Sequence, residues 1–155
     1  MIRIRKRVLI PKRFYHIYNR GNRKQRIFNF PSDRKYLIRK IRYLASECRI
    51  LIPTFCLMDN HFHLILKQES DISISKFMQR LMTSYCVYFN RRYNLTGHLF
   101  QDRFKSRMIK NLKDLGSTVL YIANNPVTAE YVKDPNHYAW FYIKKEFEKY
   151  LLRQT

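Results

Sequence analysis

Apolar and polar positions along this chain fall into short runs of alternating period, which predict strands and helices in turn. Residues 13–19, Arg-Phe-Tyr-His-Ile-Tyr-Asn, have strand composition, and Arg20-Gly21-Asn22 marks a turn after them. Pro31-Ser32-Asp33 starts a helix in which Tyr36, Leu37, Ile41, Leu44, Ala45 and Cys48 recur at helical spacing, with Arg34, Lys35, Arg39, Lys40 and Arg42 between them. Residues 51–58 predict a second strand and residues 61–67 a third, joined through Asp59-Asn60 as a hairpin. After a polar loop over 68–71, Ser73 to Arg92 reads as a long helix with Ile74, Phe77, Met78, Leu81, Tyr85, Tyr88 and Phe89 on or near one face. Extended structure resumes at Gly97 and passes through Leu99, Phe100, Phe104 and Met108-Ile109, a fourth strand or strand pair. A helix over 113–124 is expected to stop before Pro126, because a residue preceding proline is pushed out of the helical region. Tyr138 to Leu152 reads as a last, strongly amphipathic helix.

The order β-α-β-β-α-β is that of a ferredoxin-like α+β sandwich, an antiparallel sheet with helices packed on one face, here followed by a C-terminal helical extension over 138–155. A chain of 155 residues with 46% hydrophobic content can bury a core without staples, so one domain over 1–155 is expected, with 1–12 as a basic arm. Cys48, Cys56 and Cys86 have neither CxxC nor zinc-finger spacing and fit buried thiols in a reducing compartment. No apolar run approaches the roughly 18 residues of a membrane span. The expectation is a cytoplasmic, nucleoid-associated protein with no membrane partner.

Charge narrows the partner. With 31 Lys+Arg against 11 Asp+Glu, the formal charge is +20, too large an excess to attribute to solubility alone. The candidate contacts to a polyanion are Arg3, Arg5, Arg7, Arg20, Arg23, Arg26, Arg91, Arg92, Arg103, Lys105 and Arg107. They are interleaved with Phe14, Tyr15, Tyr18, Phe28, Tyr88, Phe89, Tyr93, Phe100 and Phe104. Cations neutralise phosphates while aromatic faces stack on unpaired bases, so the mixture suits single-stranded nucleic acid.

The candidate chemistry begins at His61-Phe62-His63. In a strand the two imidazoles project to one side and Phe62 to the other, close enough together to hold one metal ion. An H-x-H on a strand also describes two half-exposed histidines with no ligand, so the motif needs context. Tyr121 and Asn125, four residues apart, share a helical face. If that face meets the strand end carrying the histidines, a phenol and an amide oxygen converge on the same point. Tyr85 and Tyr88 sit at apolar helical positions that favour the core, and Tyr93 lies at a basic helix end.

His61-Phe62-His63 resembles the HUH motif, with U a bulky hydrophobic residue, and 121–127, Tyr-Ile-Ala-Asn-Asn-Pro-Val, resembles the tyrosine helix of single-tyrosine transposases of the IS200/IS605 type. The similarity is greatest to the REP-associated tyrosine transposase branch. It extends from Tyr15-His16-Ile17-Tyr18-Asn19-Arg20-Gly21 through 56–64 and 97–104 to Tyr138-Ala139-Trp140. The resemblance implies that His61 and His63 are metal ligands, that Tyr121 is the nucleophile, and that Asn125 takes the third metal-binding position, where relatives often have glutamine. It implies a divalent cofactor, Mg2+ or Mn2+, and nicking and rejoining of single-stranded DNA at hairpins or repeats through a 5′-phosphotyrosine. Either a homodimer or a monomer fits the family, and the C-terminal extension favours the monomer. An inactive DNA-binding descendant and a metal-dependent nuclease using water are the alternatives. Asp59 stands where many relatives have proline, Phe100 where many have tryptophan, and Thr128 where arginine is frequent. Gly116, within the tyrosine helix, is either a packing point or a hinge.

Overall fold

The computed structural model describes residues 9–152, so Arg3, Arg5, Arg7 and the greater part of the expected basic arm lie outside the described residues. Five strands form one antiparallel sheet in the order β4-β1-β3-β2-β5: β1 (Phe14–Arg20), β2 (Ile50–Leu57), β3 (His61–Gln68), β4 (Lys105–Met108) and β5 (Phe141–Ile143). Three α-helices accompany them: α1 (Pro31–Cys48), α2 (Ile74–Tyr93) and α3 (Leu112–Thr128). The first four strands have the ferredoxin-like order expected of a β-α-β-β-α-β chain, and β5 adds a strand outside β2.

Local chemistry explains the helix bounds. At the start of α1, with Pro31 in its first turn, the Asp33 carboxylate accepts the backbone N–H of Asn29 at 2.9 Å and of Phe30 at 3.0 Å. Arg49 closes α1 in the left-handed region at φ 51°. Ser73 caps α2 by accepting Lys76 N–H at 3.1 Å, and Asn94 ends it at φ 50°.

The sheet carries helices on both faces. On one, Tyr15 and Ile17 of β1, Phe62, Leu64 and Leu66 of β3, and Phe55 and Leu57 of β2 pack with Leu37, Ile41 and Leu44 of α1 and Phe77, Leu81 and Tyr85 of α2. This layer meets the expectation of helices on a single face, and α3 is the exception. Leu115, Val119 and Ile122 of α3 pack with Cys56, Ile65 and Ile109 on the opposite face. Burying each large apolar side chain is worth roughly 1.5–3 kcal/mol, so both faces contribute to stability.

Two expectations are corrected. α3 does not stop before Pro126 but runs through it to Thr128. Pro126 sits in the last turn, where its missing N–H costs a single bond, and its ring is buried. Beyond it, Ala129 N–H reaches Asn125 O at 3.0 Å and Tyr131 N–H reaches Pro126 O at 2.9 Å, which close the helix end. The segment from Tyr138 is not a long amphipathic helix either. It forms β5 and then a 3-10 helix over Lys145–Tyr150. The free edge of β2 takes Phe141-Tyr142-Ile143 as a strand: Thr54 Oγ1 donates to Tyr142 O at 2.6 Å, and the Phe55 and Tyr142 rings stack at 5.1 Å. Tyr150 then lies against Gly116, where a Cβ would come within 3.0 Å of its ring, so Gly116 is a packing point.

Candidate active site at the histidine hairpin

The β2–β3 turn sets the site. Met58 N–H bonds to His61 O at 2.9 Å, and Gly21 N–H to Asn60 O at 2.8 Å. Gly21 also lets the following loop fold back closely, because a Cβ there would stand 2.2 Å from Gln25 O. The Asp59 carboxylate pairs with the buried Arg34, with Arg26 at 3.0 Å, and accepts the Tyr131 hydroxyl at 3.2 Å. Asp59 therefore ties the turn to α1 and to the chain leaving α3. These charge-assisted bonds hold the turn in place.

From this turn β3 sends Phe62 and Leu64 into the α1–α2 core and the rings of His61 and His63 toward α3. The two imidazole centroids are 5.1 Å apart with planes at 85°. The Tyr121 ring meets that of His63 edge-on at 5.6 Å, and the Tyr121 side chain is 57% exposed, open to a large substrate. One turn on, Asn125 Oδ1 is 3.2 Å from His61 Nε2, while its Nδ2 donates to Tyr121 O at 3.1 Å. The four residues expected at a reaction centre are thus brought together, and the helix continuing through Pro126 is what turns Asn125 toward His61.

Three further side chains join this cluster that the sequence reading did not assign to it. His16 is 6% exposed, and its Nε2 lies 2.9 Å from His63 Nδ1. Tyr18, paired with His63 across the β1–β3 ladder, places its ring 5.9 Å from that imidazole. Asn60 Oδ1 is 2.7 Å from His61 Nδ1, while Asn60 Nδ2 donates to Lys24 O at 3.2 Å. The strand alternation His16-Tyr18-Arg20 was a readable signal for the first two; Asn60 was legible only as a turn residue.

Burial controls the protonation of these rings. It pushes His63 down to about 3, helped by the neighbouring His16 and His61, and His16 down to about 4, helped by the Arg107 charge. His61 is also lowered, chiefly by burial, with its Asn125 contact acting in the opposite direction. At neutral pH the imidazoles are therefore uncharged and offer lone pairs.

Ladder partners place some of the candidate cations on the same face. Arg20 is opposite His61, Lys105 opposite Tyr18, and Arg107 opposite His16. Arg107 is braced by both Asp114 oxygens at 3.0 Å and by Thr118 Oγ1 at 2.6 Å; Arg20 is braced by Gln101 Oε1 at 2.8 Å. Arg23 and Arg26 are exposed beside the turn, and Arg103 is exposed in the segment before β4. Arg91 and Arg92 end α2 in the other helical layer, and Arg92 lies 3.5 Å from buried Asp33. The structure does not bring that pair to the histidines.

The family model described as "Transposase IS200 like" matches residues 11–125. This chain belongs to the IS200-like transposase family. The matched span includes the histidine hairpin and reaches Asn125. The IS200-like fold is shared with the solved structure of a REP-associated tyrosine transposase bound to a REP hairpin, at TM-score 0.72 and 22% identity over 90% of this chain and 82% of that one. A candidate transposase from Deinococcus radiodurans R1 aligns at TM-score 0.53 and 15% identity over 77% of this chain and 95% of that one. No curated protein matches the sequence. No helix among the described residues is long and apolar enough to cross a membrane.

Proposed function

We propose that this transposase nicks and rejoins single-stranded DNA at hairpin or repeat sequences, with Tyr121 as nucleophile and a divalent cation, Mg2+ or Mn2+, bound by His61, His63 and Asn125. The observation that carries this reading is the convergence of an exposed phenol, two uncharged imidazoles and an amide oxygen at one strand end.

The donor set fits a cation. Asn125 Nδ2 is engaged with Tyr121 O and Asn60 Nδ2 with Lys24 O, so the oxygens of both amides face His61. Asn60 Oδ1 accepts the Nδ1 proton of His61. With the proton on Nδ1, which the shorter 2.7 Å contact favours, a neutral ring turns its Nε2 lone pair toward the Asn125 oxygen at 3.2 Å. A cation held by His61 and Asn125 would relieve that contact, whereas an imidazolium is disfavoured by burial. Among the described residues no three His, Cys, Asp or Glu side chains are grouped to hold a metal ion, and the third protein donor in this reading would be the Asn125 oxygen beside His61. Such a site suits Mn2+, which accepts imidazole readily, or Mg2+, which prefers oxygen and keeps waters. When bound, the cation polarises a phosphate oxygen and stabilises charge developing in the transition state.

The protein supplies the remaining steps. Arg20, Lys105 and Arg107 attract the phosphates and hold the strand along the β1–β4 side of the site. The Tyr121 oxygen attacks phosphorus and loses its proton; the bond to the 3′ oxygen breaks, and that oxygen takes up a proton. A 5′-phosphotyrosine and a free 3′-hydroxyl result. One phosphodiester replaces another, so a second 3′-hydroxyl can reverse the step on a new strand without ATP. α3 packs on the sheet of its own chain, so one copy can act with its own Tyr121.

The test is denaturing gel electrophoresis after incubation with Mn2+ and labelled single-stranded hairpins from the flanks of the gene. A slow-migrating covalent species is expected from the wild type and not from Tyr121→Phe, which retains DNA binding. Cleavage without an adduct would favour the water-using nuclease, and binding without cleavage under either metal would favour an inactive binding module.

A further inference from the structure

We propose that His16 and Asn60 are positioning residues, each holding one proposed ligand in the tautomer that leaves its Nε2 lone pair free for a cation. The inference rests on the metal reading above and extends it to two residues that touch neither cation nor substrate.

A neutral imidazole carries one proton, and only the unprotonated nitrogen can bind a metal. His61 Nδ1 is 2.7 Å from Asn60 Oδ1. Asn60 Nδ2 is engaged with Lys24 O at 3.2 Å, so the amide turns its oxygen to the ring, and the 2.7 Å contact is shorter than the 3.2 Å from Nε2 to Asn125 Oδ1, which favours the proton on Nδ1. The main chain at Asn60 is also fixed, since its carbonyl accepts Gly21 N–H at 2.8 Å. The turn therefore specifies both the orientation of the imidazole and the nitrogen left open.

His63 is held differently. Its Nδ1 is 2.9 Å from Nε2 of His16, and one proton lies between the two rings. If His63 donates, its Nε2 is left as a ligand; if His16 donates, the proton of His63 moves to Nε2 and blocks it. The metal reading therefore requires His16 to act as acceptor, and its burial in the centre of β1, 6% exposed, holds its Nε2 against His63. Each proposed ligand thus has one nitrogen engaged by a neighbouring side chain, the arrangement that raises ligand basicity and fixes ring orientation in protein metal sites.

Mn2+ affinity of the whole protein, read from the electron paramagnetic resonance signal of free Mn2+, provides the test. His61→Ala is the reference, and its failure to weaken Mn2+ binding would overturn the metal reading itself. With that reference satisfied, His16→Ala and Asn60→Leu are each expected to weaken Mn2+ by about 10–100-fold. His16→Gln and Asn60→Asp, which restore an acceptor, should recover most of that loss, whereas a merely structural role would give no such rescue. Nitrogen-15 NMR of the metal-free protein checks the same point independently: His61 and His63 should be Nδ1–H tautomers, and the acceptor-less variants should show mixtures. Wild-type Mn2+ affinity in His16→Ala and Asn60→Leu, or Nε2–H tautomers in the wild type, would refute the proposal.

Discussion

The two faces of the sheet make opposite uses of one strand. Toward α1 and α2, β3 presents Phe62, Leu64 and Leu66 to a continuous apolar core. Toward α3 it presents His61 and His63 first and Ile65 only farther from the turn. One face is apolar from Phe62 through Leu66 and serves stability. The other is divided, with Ile65, Val119 and Ile122 securing α3 while the turn-proximal part is left to polar rings. The lesson is that the site depends on the second core for alignment: Tyr121 and Asn125 are aimed by the buried residues that flank them on α3.

Adjacent substitutions on β3 break this comparison most sharply. Phe62→Ala removes a fully buried ring and should cost about 3–5 kcal/mol in urea unfolding. His61→Ala, one residue away and half-buried, should move stability by about 1 kcal/mol or less yet abolish the covalent adduct. Comparable destabilisation by both would contradict the division of labour. The next effect is on pH. His16 and His63 protonate near 6.5 when unfolded but only near 4 and 3 when folded, so between these values the unfolded chain binds more protons. Stability of the metal-free protein should be constant above about pH 6.5 and decline as pH falls toward 4. A urea midpoint unchanged from pH 7 to pH 4.5 would show that these rings are not buried neutral.

Smaller effects follow from charge and packing. Lys105→Gln, on the α3 face, should weaken single-stranded DNA binding and lower the slope of log affinity against log salt by about 0.7, the value of one phosphate contact. Arg91→Gln, in the other helical layer, should leave the slope unchanged, and equal effects would extend the DNA path to α2. Gly116→Ala should be nearly neutral. Alanine gains about 1 kcal/mol in a helix interior, but its methyl must displace the Tyr150 ring 3.0 Å away. A large gain would show that this ring yields freely.

Much of the fold was legible in the sequence where period alone decides. β1, α1, β2, β3 and α2 lie where apolar spacing and turn residues put them, because each buries one regular face. Legibility failed where the outcome depended on a distant partner. The free edge of β2 draws Phe141-Tyr142-Ile143 into a strand although the surrounding segment has helical spacing. Bonds from Ala129 and Tyr131 allow α3 to pass Pro126, which local preference alone disallows. At the site, His61-Phe62-His63 and the Tyr121/Asn125 spacing were visible because chemistry and period coincide there. The alternation put His16 on the same face of its strand as Tyr18, but its partner is known only from the fold, which brings its ring to His63, 47 residues away.

The pleat of β3 also has a genetic consequence. A single-codon deletion between His61 and Leu66 would exchange the faces of part of the strand, driving polar rings inward and aromatic or aliphatic ones outward. Such a lesion would damage fold and chemistry together, so the residue count of this hairpin is constrained twice. Length variation in descendants of this gene should therefore accumulate in its surface connections and spare these few codons.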